Sequence, residues 1–450
     1  MSVIVGEAGG PFDLLDLHRL RPDRYPFLLQ SSASGTRDLL FAYPGAALVL
    51  DPAGTLHGPH ARADRDFLHS LDDWFRTESV PGGAPGVPCA GGWFVYLGYE
   101  LASQVEPVLQ LPASAAGLPV AFAVRIPAVI VRDLSGGTCR IVVEAGREAL
   151  LQQIRQDVGQ LDGAGGRPQD TLALAAVHEE PPRRFLESVA RIREYIVEGD
   201  VFQVNLSRRW ELQLQQPATP AFLYDRLRRH NPSPFGGLAL WEDRAIISSS
   251  PERLVCVRDG NAETRPIAGT RPRAAVVAAD RASSDELLAS PKERAEHVML
   301  IDLERNDLGR ICVPGSIEVN ERMVLESFAH VHHIVSNVRG RLRRGILPGD
   351  VLRAMFPGGT ITGCPKVRCM EIIAELERQP RGAYTGSMGY LDRHGNMDLN
   401  ILIRTMVSHG TRLELRAGAG IVADSDAGAE LAETRAKARG LLRAVGLEEA

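Results

Sequence analysis

In Val201-Phe202-Gln203-Val204-Asn205-Leu206-Ser207-Arg208-Arg209-Trp210-Glu211-Leu212, the apolar Phe202, Val204 and Leu206 alternate with Gln203, Asn205 and Ser207. A period of two sends neighbouring side chains to opposite faces, so this stretch is predicted as a strand with one apolar face and one face of amides and hydroxyls. Just upstream, Phe185, Leu186, Val189, Ile192 and Ile196 recur at helical spacing and Gly199 follows as a stop. Working outward, strands are predicted at 237–241, 245–249, 253–258, 323–338, 387–391, 399–407 and 413–417, and helices at 290–307, 365–376 and 426–445. Towards the N-terminus, Ala47 to Leu50, Trp93 to Leu97 and Val120 to Val131 are apolar runs between Gly and Pro clusters, the pattern of strands joined by turns. Strands outnumber helices without strict alternation and no short repeat is seen. The expected fold class is therefore α+β, with large antiparallel sheets packed together and helices outside, rather than a Rossmann layout or a solenoid.

From about Leu161 to Arg184, Gly, Pro, Asp and Glu crowd together without hydrophobic periodicity. This places a boundary between a strand-rich N-terminal subdomain, 1–165, and a domain at 180–447 that carries the chemistry. The 450 residues are 44% hydrophobic and 24% charged with a net charge of -5, an ordinary globular balance. There is no overall basic field, so nucleic acid is not an expected partner and any anionic substrate needs local cations. The six cysteines are scattered with no C-x-x-C pair, as reduced, buried thiols are. Met1 to Gly10 lacks the basic stretch and apolar core of a signal peptide, and no apolar run approaches membrane-spanning length. A cytoplasmic location without membrane contact is the expectation.

Two acidic pairs stand at helical spacing, Glu293 with Glu296 and Glu430 with Glu433. Residues three apart share a helix face, and two such faces can hold a hard cation such as Mg2+. Glutamates on helices are more often solvated or paired with neighbours such as Lys292, Arg294 and Lys437, and spacing alone does not separate the two readings. The stretch Ala417-Gly418-Ala419-Gly420-Ile421-Val422-Ala423-Asp424-Ser425-Asp426 reads as a glycine-rich turn before a helix capped by Ser425 or Asp426. Its glycines would let backbone amides approach a carboxylate, although a plain helix start explains them too. Gly358 to Lys366 superficially looks like a phosphate loop, but Cys364 and Pro365 follow Gly363 where Lys and Ser or Thr belong, and Pro365 marks a helix start. Ser248-Ser249-Ser250-Pro251-Glu252 ends an apolar strand with a carboxyl that is either a general acid or a surface group.

Arg265-Pro266-Ile267-Ala268-Gly269-Thr270-Arg271-Pro272-Arg273 resembles the signature of chorismate-utilising enzymes. Other segments agree in order: 198–206, Ser250-Pro251-Glu252-Arg253, 292–297, 302–308, His332 to Ser336 and 418–426. They span about Arg184 to Gly446, and 91–99 and 28–31 match more loosely. The resemblance implies a chorismate-binding catalytic domain with Mg2+ as cofactor. Glu296 and Glu433 then correspond to metal ligands, with Glu293 and Glu430 as water-mediated support. Tyr384, Arg404, Gly418, Gly420 and Lys437 correspond to positions that hold the substrate's carboxylates, and Ala268, Gly269 and Thr270 to the signature beside it. Glu252 corresponds to the general acid that assists loss of the ring hydroxyl, and His333 and Thr360 line the reacting ring.

Water-adding members carry lysine, as a base, at the position of Gln203. Glutamine is no base and ammonia needs none, so the resemblance points to an aminating enzyme. The chain shows no glutaminase segment, which implies a separate glutamine amidotransferase partner. Asn205, the stretch His330 to His333 and Gly386 to Leu391 resemble the aminodeoxychorismate synthase branch, which serves p-aminobenzoate and folate synthesis. Ala268 resembles the anthranilate synthase branch, since many aminodeoxychorismate synthases place an attacking lysine there; amination without a lysine adduct is the expectation. Gln30 stands where anthranilate synthases usually carry a glutamate that serves tryptophan feedback, which favours the aminodeoxychorismate branch.

Overall fold

The computed structural model describes residues 3–10, 12–32, 36–82, 86–89, 91–114, 117–161, 172–273, 276–327 and 331–447. Their strands form two large antiparallel sheets. The first runs, edge to edge, Val3–Glu7, Cys139–Glu144, Ala128–Asp133, Arg37–Ala42, Phe27–Gln30, Phe235–Trp241, Arg244–Ser250, Thr405–His409, Arg412–Ile421, Gln203–Leu214 and Leu174–Glu179, with Gly363–Cys364 also paired to Gln203–Leu214. The second runs Ile267–Pro272, Val331–Arg341, Asn261–Thr264, Arg253–Arg258, Met397–Asn400, Ser387–Asp392, Gly92–Leu97, Ala121–Ile126, Ala47–Leu50 and Leu56–His57, with Glu318–Ser327 beside Val331–Arg341. Residues from both sides of position 165 contribute strands to each sheet. Of the stretch at 161–184, residues 162–171 lie outside the described residues, and 174–179 form an edge strand on 203–214.

Alternation sets the layers. Phe27, Phe41, Val129 and Ile246 of the first sheet meet Phe94, Tyr96, Phe122, Met388 and Tyr390 of the second, with Phe27 and Phe94 stacked at 4.1 Å. On the outer face of the first sheet, Leu15, Ile154, Tyr224, Leu227 and Leu441 of the helices cover Leu28, Leu40, Ile130 and Ile247. On the outer face of the second, Leu68, Leu71, Ile301, Val351 and Leu352 cover Trp93, Val95 and Val255. The order is helix, sheet, sheet, helix, so a strand such as Gly92–Leu97 is buried on both faces and its sequence reads as one apolar run.

Several expected elements take a different form. The run 120–131 is two strands: Ala121–Ile126 lies in the second sheet and Ala128–Asp133 in the first, with Pro127 between them as the chain crosses over. The single strand expected at 399–407 also divides, into Met397–Asn400 of the second sheet and Thr405–His409 of the first. The strand expected at 323–338 is a pair, Glu318–Ser327 and Val331–Arg341, hydrogen-bonded to each other. Phe202 does not join the apolar face assigned to it: the strand begins at Gln203, and Phe202 is 68% exposed. Val204 and Leu206 are buried as expected under helices, but so are Gln203, which lies against Gly420, and Ser207, whose hydroxyl donates to Glu377 at 2.9 Å. All six cysteines are free thiols, five of them buried and Cys364 half-buried. Among the described residues no helix is long and apolar enough to cross a membrane.

Candidate active site

The strand Arg412–Ile421 pairs with Gln203–Leu214 from Val204 opposite Ile421 to Gln213 opposite Arg412. Gly418 and Gly420 sit inside this strand, not in a turn, and the following helix starts only at Ala427 with Asp426 as its cap, which accepts from the Ala429 amide at 2.8 Å. What the glycines provide is room. A Cβ on Gly420 would stand 2.2 Å from Gln203 Nε2, and one on Gly418 would stand 2.7 Å from the Tyr384 hydroxyl and 2.8 Å from Asn205 Oδ1. The absence of those methyls lets three polar side chains lie flat against the strand. Among the described residues Gln203 Oε1 and Asn205 Oδ1 are buried without a hydrogen-bond partner. A buried polar atom left so costs ~1–3 kcal/mol, and two against one cradle mark a surface that a polar ligand would complete.

Arg404 stands where the chain passes from the second sheet to the first, with φ at 52°, a left-handed conformation that a side chain adopts at a cost. Among the described residues its guanidinium makes no ion pair. Burial holds its affinity for a proton below the usual arginine range, although Tyr384, Glu433 and Glu252 nearby act in the opposite direction. A cation buried in this way favours an anion beside it.

Glu252 is not the surface group that the bland reading of Ser248 to Glu252 allowed. It is buried at 6% exposure, with its amide on the Ser250 hydroxyl at 3.2 Å and its carbonyl accepting from the Ile401 amide at 3.0 Å. Burial pushes its carboxyl up to about 7, against the opposing pull of Thr360, Arg404 and Lys437. His333, on the strand paired with 267–272, is buried and pushed down to about 4 by burial, with its Nδ1 3.4 Å from the Gly269 carbonyl and the Arg404 charge nearby. Its ring is neutral at pH 7. Gly269 occupies a bulge with φ at 64°, and Ala268 before it is buried. The Thr270 side chain lies outside the described residues.

Lys437 reaches back from the C-terminal helix to the Gly418 carbonyl, 3.0 Å, and to Glu433, 2.5 Å. The acidic pairs are thus already engaged. Glu293 lies 3.2 Å from Arg271, Glu430 accepts from the Ser425 hydroxyl at 2.7 Å, and Glu296 lines a surface groove with Phe202 and Asp424. The donor set, four carboxylates on two helices, is the hard-oxygen chemistry that Mg2+ takes. In this structure the four are not drawn to one point: among the described residues no three His, Cys, Asp or Glu side chains stand together as a metal cage.

Two contributors escaped the sequence reading. Arg381, buried and paired to Glu377 at 2.7 Å, lies 5.6 Å from the Tyr384 ring and ties that loop to the Asn205 carbonyl. Glu304 is buried near Glu252. Neither stands at a spacing that signals chemistry; only the packing of distant segments shows them. A separate cavity of about 330 Å3, lined by Gln30, Ser31, Phe235, Met388 and Tyr390 among others, contains none of the candidate residues.

The whole chain is similar to several known proteins. Anthranilate synthase component 1 of Streptomyces coelicolor is 40% identical over 455 residues, covering 95% of this chain and 85% of that protein. Aminodeoxychorismate synthase component 1 of Bacillus subtilis is 36% identical over 450 residues, 97% of this chain and 95% of that one. The crystal structure of anthranilate synthase component I from Streptococcus pneumoniae TIGR4 superposes with a TM-score of 0.80 at 34% identity, over 90% of this chain and 92% of that one. The description chorismate binding enzyme matches residues 25–443, and this chain belongs to that family of chorismate-utilising enzymes.

Proposed function

We propose that this chain is component I of an aminodeoxychorismate synthase, a transferase that exchanges a ring hydroxyl of chorismate for ammonia supplied by a separate glutamine amidotransferase subunit. The product, 4-amino-4-deoxychorismate, would feed p-aminobenzoate and folate synthesis in the cytoplasm. One juxtaposition carries the reading: Arg404, without an ion pair among the described residues, lies beside a buried Glu252 carboxyl that stays protonated up to about pH 7. A carboxylate has its cation, and a poor leaving group has its acid.

In this reading Arg404, Tyr384 and Lys437 hold the substrate's carboxylates over Gly418 and Gly420, where no Cβ intrudes. Glu252 gives its proton to the departing hydroxyl. His333, neutral, and the Thr360 hydroxyl border the ring without adding charge to it. Gln203 offers an amide and no base, which suits ammonia and not water as the nucleophile. Ala268 presents a methyl, so ammonia attacks the ring without a lysine adduct. Bound Mg2+ would supply positive charge to a substrate carboxylate, held by Glu296 and Glu433 with Glu293 and Glu430 through water. For that, Lys437 has to release Glu433 and Arg271 has to release Glu293.

Anthranilate synthase component I is the second reading, favoured by Ala268 and by the 40% identity to the Streptomyces coelicolor protein. Chromatography after incubation with chorismate, Mg2+ and ammonium separates the two. p-Aminobenzoate that forms only when aminodeoxychorismate lyase is added is the expected result; fluorescent anthranilate without any lyase would select the second reading.

A further inference from the structure

Gln203 and Asn205 stand two apart in strand Gln203–Leu214 and share its face with Gly418 and Gly420, since Asn205 pairs with Gly420 and Ser207 with Gly418. Asn205 is held from two sides. Its Nδ2 donates to the Thr360 carbonyl at 3.4 Å, and its backbone carbonyl accepts from the Arg381 guanidinium at 2.7 Å. With the nitrogen committed to Thr360, the oxygen is the end of the amide left beside Gly418, 2.8 Å from where a Cβ would stand. Gln203 is 8% exposed and leans over Gly420 with its Nε2. Among the described residues the side-chain oxygens of both amides are buried and find no donor. An amide oxygen only accepts, and so does a carboxylate. The substrate's carboxylates therefore suit Arg404 and Lys437, the latter 3.0 Å from the Gly418 carbonyl, but leave these two oxygens unmatched. What completes them is a small ligand that brings N–H or O–H groups.

We propose that the side-chain oxygens of Gln203 and Asn205 form the subsite for ammonia, each accepting one N–H so that the nitrogen lone pair is left free to face the ring. This rests on the proposed amination and holds for either aminated product. Ammonia carries three donors and one lone pair, so two acceptors fix its orientation and leave it nucleophilic. The ring hydroxyl is the substrate's own donor, and in the proposed reading it belongs to Glu252. In the reaction the lone pair forms the C–N bond, the C–O pair leaves with oxygen, and Glu252 protonates that oxygen to water. The nitrogen becomes positive as the bond forms, and two carbonyl dipoles already aimed at it stabilise that charge. Solvent takes the surplus proton from nitrogen and returns one to Glu252, so hydroxyl plus ammonia balances to amine plus water. The Gly359–Ile361 turn ties nucleophile to acid: the Thr360 carbonyl holds Asn205, and its hydroxyl is a hydrogen-bond partner of the Glu252 carboxyl.

Asn205→Leu and Gln203→Met remove the acceptors at nearly constant size, and both test the proposal in the full chain with Mg2+ and ammonium as nitrogen source. The expected result is a kcat/KM for ammonia lower by ~10–100-fold in each, with the KM for chorismate within about twofold. The Kd for chorismate, measured by equilibrium titration without ammonium, stays within about twofold as well, a readout that a misfolded or collapsed site would move. Gln203→Glu keeps an acceptor oxygen at that place and restores part of what Gln203→Met loses. A raised KM or Kd for chorismate with kcat/KM for ammonia unchanged would give the oxygens to the ring hydroxyl and overturn the proposal, and so would a parallel loss of both. A wild type that aminates chorismate while both variants keep their kcat/KM for ammonia removes the subsite alone. A wild type that yields no aminated product removes the amination, and the subsite with it.

Discussion

In the cradle of Gln203, Gly418 and Gly420, side chains are placed by a backbone ladder that runs unbroken from Val204 and Ile421 to Gln213 and Arg412. On the helix faces of Glu293 and Glu433, they are placed by ion pairs with Arg271 at 3.2 Å and Lys437 at 2.5 Å, on groups that solvent reaches. The contrast is one of stiffness. Changing the ladder costs packing and hydrogen bonds, whereas a half-exposed ion pair is worth ~0–1 kcal/mol and exchanges one cation for another with little penalty. In the proposed reading the anion side of the site is therefore preformed, and the acidic side would take up a cation only once a ligand brings the charges together.

Substitutions at both sides break or sharpen that contrast. The largest effect is expected from Glu252→Gln, which keeps shape and removes the proton: turnover with chorismate and ammonium falls by ~100–10,000-fold. The wild-type rate declines as pH rises through about 7, since a carboxyl with a raised pKa is protonated below that value and loses its proton above it. Rate–pH profiles of both proteins check this; a wild-type profile flat through that range would take the acid role from Glu252. Next, Arg404→Met leaves a substrate carboxylate without its cation and raises KM for chorismate by ~100-fold, with circular dichroism unchanged. Glu433→Gln comes third, lowering apparent Mg2+ affinity by ~10–100-fold in activity titrations against the metal; identical titration curves would end the metal assignment. The smallest effect on the site is expected at Gly420→Ala. Its methyl meets Gln203 Nε2, lowers stability by ~1–3 kcal/mol in chemical denaturation and weakens chorismate binding, while leaving Mg2+ affinity in place.

The same contrast governs what could be read from the sequence. Strand 203–214 and the helices near 291–309 and 427–444 were legible because their periods and caps are local. Gly418 and Gly420 were misplaced into a turn because glycine is a weak strand former; that Gln203 and Tyr384 need their missing Cβ atoms is a fact about other segments. Arg404 was submerged in an expected strand, since nothing in Leu402-Ile403-Arg404-Thr405 announces a passage between sheets. Val120 to Asp133 hid the same passage, although Pro127 marked it. The burial of Glu252 and the approach of Glu304 depend on tertiary packing alone. Resemblance supplied the expected roles of most site residues, and the convergence of the four glutamates, which it implies, is not present among the described residues.

The position of strand 412–421, late in the chain yet flanked on both sides, has a consequence for synthesis. It is the wedge between Gln203–Leu214 and Thr405–His409, so a growing polypeptide holds two raw edges of the first sheet until residues 412–421 have left the ribosome. Folding of such an interleaved array waits on distant partners, which makes it slow and leaves the half-made chain prone to sticking to its own kind.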